Sequence, residues 1–271
     1  MKQFFTFLFL LLSFQLTASK VDTVSVYSPS MKKQIKCVVI TPSTYQKSKT
    51  GFSVVYLLHG HSGNYTQWLN DAPQLKQKAD ELQLILVCPD GGYNSWYFNS
   101  PANAAYKYET FTASELIRFI DKNYKTIADK KHRAITGFSM GGHGSLYVAI
   151  RNKKLFGMAG SICGGVDIRP FTNYWELKQQ LGDTICCKQN WENNTVLNVV
   201  NGLKNNELKL LIDCGLSDFF LNVNRALHQK LVTMKIEHIY IEKPGNHSRA
   251  YWGSIINEQL AYFKKEFMKI K

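Results

Sequence analysis

The pentapeptide Gly137-Phe138-Ser139-Met140-Gly141 constrains this chain more than any other feature. It has the form G-x-S-x-G. A β-prone segment, residues 133–136, precedes it, and residues 142–150 read as a helix that opens on small residues. Strand, sharp turn and helix make this pattern a nucleophile elbow, a turn that lifts a serine hydroxyl off the end of a sheet. The flanking positions must be glycine because a Cβ would clash in so tight a bend.

The remaining elements supply the sheet that such an elbow needs. Residues 23–27 and 35–40 read as a starting antiparallel pair around the turn Ser28-Pro29-Ser30. Residues 53–58 and 84–88 are continuous apolar strands, as expected where both faces of a sheet are covered. Further strands are expected at 156–162, 207–212 and 235–241. Helical spacing predicts helices over 72–82, 111–124, 219–234 and 252–268. This alternation implies an α/β fold: a mostly parallel central sheet with an antiparallel N-terminal pair and helices on both faces. A site is then expected at the carboxyl ends of the strands. Residues 167–203 break the pattern. They hold Tyr174, Trp175, Trp191 and two helical fragments, and read as a cap-like insertion over part of that face.

Residues 1–19 read as a secretory signal peptide. Lys2 is positive, Phe4 to Phe14 is almost wholly apolar, and Leu16-Thr17-Ala18-Ser19 offers small residues for cleavage after Ala18 or Ser19. The stretch is short for a transmembrane span, so the expected location is secreted or periplasmic, with no integral membrane span. Residues 20–271 contain no linker, charge block or repeat and read as a single domain. The formal net charge of +13 does not indicate a nucleic-acid partner, because the basic residues form scattered pairs such as Lys130-Lys131 and Lys264-Lys265. Of the six cysteines, Cys37, Cys88 and Cys214 sit in apolar strand-like runs, where a thiol acts as a small buried hydrophobe. Cys163, Cys186 and Cys187 complete the set. Export permits disulfides, but the pairing and the oligomeric state stay open. No Cys-x-x-Cys pair marks a zinc site.

A serine hydroxyl needs a base, and the base needs an orienting acid. On an elbow fold the chain order is Ser, Asp or Glu, then His. Among the histidines after Ser139, His143 lies on the elbow helix, His228 in mid-helix and His238 inside a strand. His247 alone follows a strand, in the loop Lys243-Pro244-Gly245-Asn246-His247, and is assigned as general base. Asp213 and Asp218 both follow the strand ending at 212. Asp218, past Gly215, is the preferred acid, Asp213 is expected to brace the loop, and Asp183 ranks third. An oxyanion hole requires two backbone N–H groups. Met140 is expected to supply one, and His61, in His59-Gly60-His61-Ser62-Gly63, the other. The His59/His61 pair lacks further ligands at metal spacing, so neither metal nor cofactor is expected.

These motifs resemble the esterase D family of α/β-hydrolases, which includes S-formylglutathione hydrolases, secreted feruloyl and acetyl-xylan esterases, tributyrin esterases and mycolyltransferases. The matching pieces are Tyr56-Leu57-Leu58-His59-Gly60, Pro89-Asp90-Gly91-Gly92, Ser95-Trp96-Tyr97, Tyr108-Glu109-Thr110-Phe111, Gly137 to Gly142, Asp213-Cys214-Gly215 with Asp218-Phe219-Phe220, and Gly245-Asn246-His247 with Tyr251-Trp252. They run in order along nearly the whole mature chain. The resemblance implies the α/β-hydrolase fold, the triad Ser139, Asp218 and His247, and the oxyanion amides of His61 and Met140. Position 61 is often apolar in relatives. Only its backbone is needed for catalysis, so the departure bears on pocket shape.

The resemblance implies two-step acyl transfer by a secreted serine carboxylesterase. Export suits acetyl or feruloyl esters on plant polysaccharide, or short-chain esters, and argues against a glutathione thioester as substrate. His59, Trp68, Trp96, Tyr97 and Trp175, with Tyr174 and Trp191, are candidate walls of a sugar or phenolic pocket. The alternatives are an exported acyltransferase, an S-formylglutathione hydrolase-like thioesterase and a non-catalytic glycan-binding protein on the same scaffold.

Overall fold

A computed structural model of the chain describes residues 19–270. The expected signal peptide falls, except for Ser19, outside the described residues. Eight strands form one sheet: β1 (Lys20–Ser28), β2 (Lys33–Thr41), β3 (Ser53–Leu58), β4 (Leu84–Pro89), β5 (Arg133–Gly137), β6 (Met158–Ile162), β7 (Lys209–Gly215) and β8 (His238–Lys243). Their order is β1-β2-β4-β3-β5-β6-β7-β8. β1 and β2 pair antiparallel, as do β2 and β4, and every later pairing is parallel.

Period-two alternation divides the core between the two faces of the sheet. On β3, Val54, Tyr56 and Leu58 face one side and Val55 and Leu57 the other. The helix α1 (Leu75–Leu82) and the closing helix α5 (Arg249–Phe267) cover the second side, where Leu75, Ala79, Ile256, Leu260 and Phe263 are buried. The helices α2 (Leu116–Asn123), α3 (Met140–Arg151) and α4 (Leu221–Thr233) cover the first through Leu116, Ile120, Leu146, Leu227 and Leu231. Each large aliphatic side chain buried in this way contributes roughly 1.5–3 kcal/mol. β1 exposes alternate residues because it is an edge strand with one solvated face.

Three expected elements differ in detail. The helix expected over 72–82 starts only at Leu75, and a short helix that was not expected, Gln67–Asp71, precedes it, because Pro73 drives Ala72 out of the helical region to φ −138° and ψ 69°. The strand expected from 235 begins at His238, since Lys235 closes the end of α4 with φ +55°. Residues 167–203 hold three short helices rather than two, Leu177–Leu181, Lys188–Asn194 and Val196–Val199, with 3-10 turns at Arg169–Phe171 and Val200–Gly202. Among the described residues no helix is long and apolar enough to cross a membrane.

Candidate functional site

Ser139 sits between β5 and α3 with φ +56° and ψ −121°, a backbone that presents its side chain at the tip of the turn. The close approach explains the glycines on either side. A Cβ on Gly137 would lie 2.5 Å from the Gly141 carbonyl oxygen, and one on Gly141 would lie 2.6 Å from that of His59. β3, β5 and α3 therefore meet with only backbone between them.

The loops after β7 and β8 bring the other two predicted residues to this point. Backbone bonds from Leu216 N–H to Lys243 O and from Ser217 N–H to Gly245 O, both 2.8 Å, fasten the two loops together. His247 Nε2 lies 2.9 Å from Ser139 Oγ, and its Nδ1 lies 2.7 Å from Asp218 Oδ2. The second carboxylate oxygen of Asp218 accepts the Phe220 N–H at 2.8 Å, which fixes the plane of the group. Burial disfavours a charged His247 ring, but the Asp218 carboxylate and the nearby Cys163 thiol outweigh it and push the group up to about 9. Asp213, expected to follow the strand, instead lies inside β7, where it accepts a hydrogen bond from the Tyr251 hydroxyl.

The backbone N–H groups of Met140 and His61 have no protein acceptor among the described residues. Met140 opens α3, so the positive end of the helix dipole lies at its amide. The His61 side chain points elsewhere, with Nε2 2.7 Å from Glu176 Oε2 and its ring edge-on to Tyr93. It thus joins the loop after β3 to the 167–203 segment.

The expected pocket walls need correction. His59, Trp68, Trp96 and Tyr97 lie behind the site, each 1% exposed or less, because each is tied into the core. Trp68 Nε1 donates to Leu58 O at 3.0 Å, the Tyr97 hydroxyl donates to His59 O at 3.2 Å, and Trp96 packs edge-on against His143. Trp191 is likewise buried and donates to Gly182 O. Trp175 does lie at the surface of the site, tilted toward Tyr174 and stacked on Phe219 at 5.8 Å. Phe219, 53% exposed, packs 4.3 Å from the His247 ring. Sequence reasoning missed Phe219 as a wall, although its place one residue after Asp218 was a usable signal.

The remaining histidines do not approach Ser139 Oγ. His143 donates to Asn194 O and is pushed down to about 4 by burial, while His228 and His238 bond to each other at 2.8 Å. Among the described residues one group of potential metal ligands converges, Cys163, Cys214 and Asp218, within 4.8 Å of one another. Asp218 is already engaged with His247 and the Phe220 amide.

The strand order, the elbow and the loops after β7 and β8 define an α/β-hydrolase fold. Residues 28–263 match the Esterase family model, described as "Putative esterase", and the chain belongs to that family. It is 24% identical over 261 residues to an acetyl esterase of Caldicellulosiruptor saccharolyticus, covering 89% of this chain and 97% of the relative. It is 32% identical over 133 residues to Esterase Rv1288 of Mycobacterium tuberculosis, covering 48% of this chain but only 29% of that longer protein. A solved ferulic acid esterase superposes with a TM-score of 0.81 at 25% identity, covering 93% of this chain and 99% of the other.

Proposed function

We propose that the protein is a serine carboxylesterase that cleaves acyl esters through a covalent acyl-enzyme on Ser139. The observation that carries this reading is the continuous chain from Ser139 Oγ through His247 to Asp218, at 2.9 and 2.7 Å. In the first step Ser139 Oγ attacks the ester carbonyl while its proton passes to His247 Nε2. The negative charge that develops on the carbonyl oxygen is received by the amides of His61 and Met140. Collapse breaks the carbon–oxygen bond to the alcohol, which leaves with the proton from His247. Water then gives a proton to His247 and attacks the acyl carbon. The acid is released, and Ser139 regains its proton.

The substrates proposed are acetyl or feruloyl esters on plant polysaccharide. The flat, partly exposed pair Phe219 and Trp175 beside His247 supports an aromatic or sugar-linked acyl group, since such rings stack on planar and C–H-rich faces. The acetyl and ferulic acid esterases among the similar proteins favour the same classes. Export through the N-terminal 19 residues belongs to this reading.

A panel of acetyl-xylan, methyl ferulate, p-nitrophenyl acetate and tributyrin, with fluorophosphonate labelling, tests it. The parent protein labels at Ser139 and cleaves at least one of the first two substrates, and Ser139→Ala does neither. Full activity in Ser139→Ala would remove the proposal. N-terminal sequencing of protein recovered from outside the cell, beginning at Ser19 or Lys20, tests the export.

A further inference from the structure

A groove lies at the far end of the elbow helix from Ser139. Its volume is about 1150 Å³. Ser139 precedes the first residue of α3 and Arg151 ends it, so the groove, which Tyr147, Ile150 and Arg151 line, begins about 12 Å from Ser139 and extends past about 18 Å at roughly 1.5 Å per residue.

Its lining is unusual for a chain with a net charge of +13. Seven asparagines and one glutamine face it, and it holds no unmatched charge. Glu109 is bonded to Arg151 Nε and Glu192 to an Arg169 guanidinium nitrogen, both at 2.8 Å. Several amide groups have no protein partner among the described residues: Asn193 Nδ2, Asn198 Oδ1, Asn190 Oδ1 and both polar atoms of Asn201. Ile150 and Val199 add small apolar patches between them.

The local sequence reinforces this. The helix Lys188–Asn194 reads Lys-Gln-Asn-Trp-Glu-Asn-Asn, and asparagine is among the poorer helix formers. Only part of that cost is offset internally. Asn194 anchors the wall by accepting the Tyr147 hydroxyl at 2.7 Å and donating to Asn190 O, whereas the exposed Asn193 Nδ2 and the exposed Asn201 amide have no protein partner among the described residues. Local rules broken without an internal return mark functional surfaces. Free donors and acceptors side by side, with no net charge and short apolar patches between them, suit a ligand that carries hydroxyls on an uncharged ring. They do not suit a phosphate, an acyl chain or an acidic polymer.

We propose that this groove is a second, non-catalytic binding site for a neutral oligosaccharide. That this sugar belongs to the polymer bearing the ester rests on the esterase reading, whereas saccharide binding does not.

Calorimetric titration of the Ser139→Ala protein with xylohexaose and with cellohexaose separates the two ideas, because it requires no turnover. Binding of at least one of the two is expected, weakened at least tenfold in Asn193→Ala/Asn201→Ala and in Asn201→Asp, with thermal midpoints unchanged. The same groove variants made with Ser139 intact keep parent rates on p-nitrophenyl acetate. No binding of either oligosaccharide, or binding that both groove variants retain, overturns the proposal. If the groove variants lose binding while the parent shows no esterase activity, the groove stands and the esterase reading falls.

Discussion

His59 Nε2 accepts a hydrogen bond from the Gly91 amide at 2.7 Å. An N–H donor on that nitrogen leaves the ring proton on Nδ1, which donates to Gly60 O at 2.8 Å. One buried, neutral imidazole therefore ties the loop after β3 to the loop after β4, and burial holds its pKa below the ordinary histidine value. The His61 amide lies two residues further along the same loop. Replacing His59 with Ala should lower kcat on p-nitrophenyl acetate by about 10–100-fold with little change in KM, somewhat less than outright loss of an oxyanion donor. His61→Ala keeps its backbone N–H and should stay within about threefold of the parent, since its Glu176 contact is partly exposed and weak. Equal losses in the two variants would count against a backbone role for position 61.

The elevated His247 has a direct kinetic consequence. On the proposed mechanism His247 is the general base and must be unprotonated, so activity is lost as pH falls through its pKa. With the group pushed up to about 9, kcat/KM should still be rising above pH 7.5. Asp218→Asn removes the carboxylate that opposes desolvation. The rising limb should then shift to lower pH while the plateau falls by roughly 10³–10⁴-fold, because the amide no longer orients the imidazole. Rate–pH profiles of the two proteins decide the matter, and an unmoved limb in Asp218→Asn would contradict this electrostatic account.

How much could be read in advance follows from what each feature depends on. The meeting of Ser139, Asp218 and His247 was legible because the fold prescribes their order and puts each in a loop after a strand, and both constraints are local. Choosing Asp218 over Asp213 needed only the distance past Gly215. The pocket walls depend on which side of a loop a ring occupies. Trp68, Trp96 and Tyr97 resemble Trp175 as residue types, but backbone carbonyls and a packed histidine draw them inward. The break at Ala72 was within reach of the Pro73 rule and was overlooked. The amide groove was not legible, because Asn152 and Asn198 become neighbours only when the 167–203 segment folds back on the end of α3.

Asp213 allows a test of stability without chemistry. Burial pushes its carboxyl up to about 6, although the Tyr251 hydroxyl and Lys243 favour the ionised form. The folded state thus binds this proton more tightly than the unfolded chain, whose value is about 3.9. The stabilising contribution is fully present below pH 4 and is lost as pH rises through 6. Asp213→Asn still accepts the Tyr251 hydroxyl and carries no charge to bury. It should match the parent at pH 4 and exceed it at pH 8 by on the order of 2 kcal/mol, a rise of several °C in thermal midpoint. A difference that does not vary with pH would rule this out.

Two glycines separate close approach from chain flexibility. A Cβ on Gly141 would be driven into the carbonyl oxygens of Leu58 and His59, atoms of β3 and its loop that cannot rotate away. Gly141→Ala must push the first turn of α3 off the sheet, and the Met140 amide moves with it. Overpacking of this kind costs about 1–3 kcal/mol in stability, and misplacing an oxyanion donor costs about 10²–10³ in kcat. A Cβ on Gly202 would meet nothing within 4 Å, and its φ lies outside the left-handed region. Gly202→Ala should therefore leave kcat unchanged and stabilise by about 0.4–1 kcal/mol, through the smaller freedom of the unfolded chain. Melting curves and p-nitrophenyl acetate rates for the pair supply the comparison. If Gly141→Ala is as active and stable as Gly202→Ala, the contact between α3 and the end of β3 does not set the position of the nucleophile.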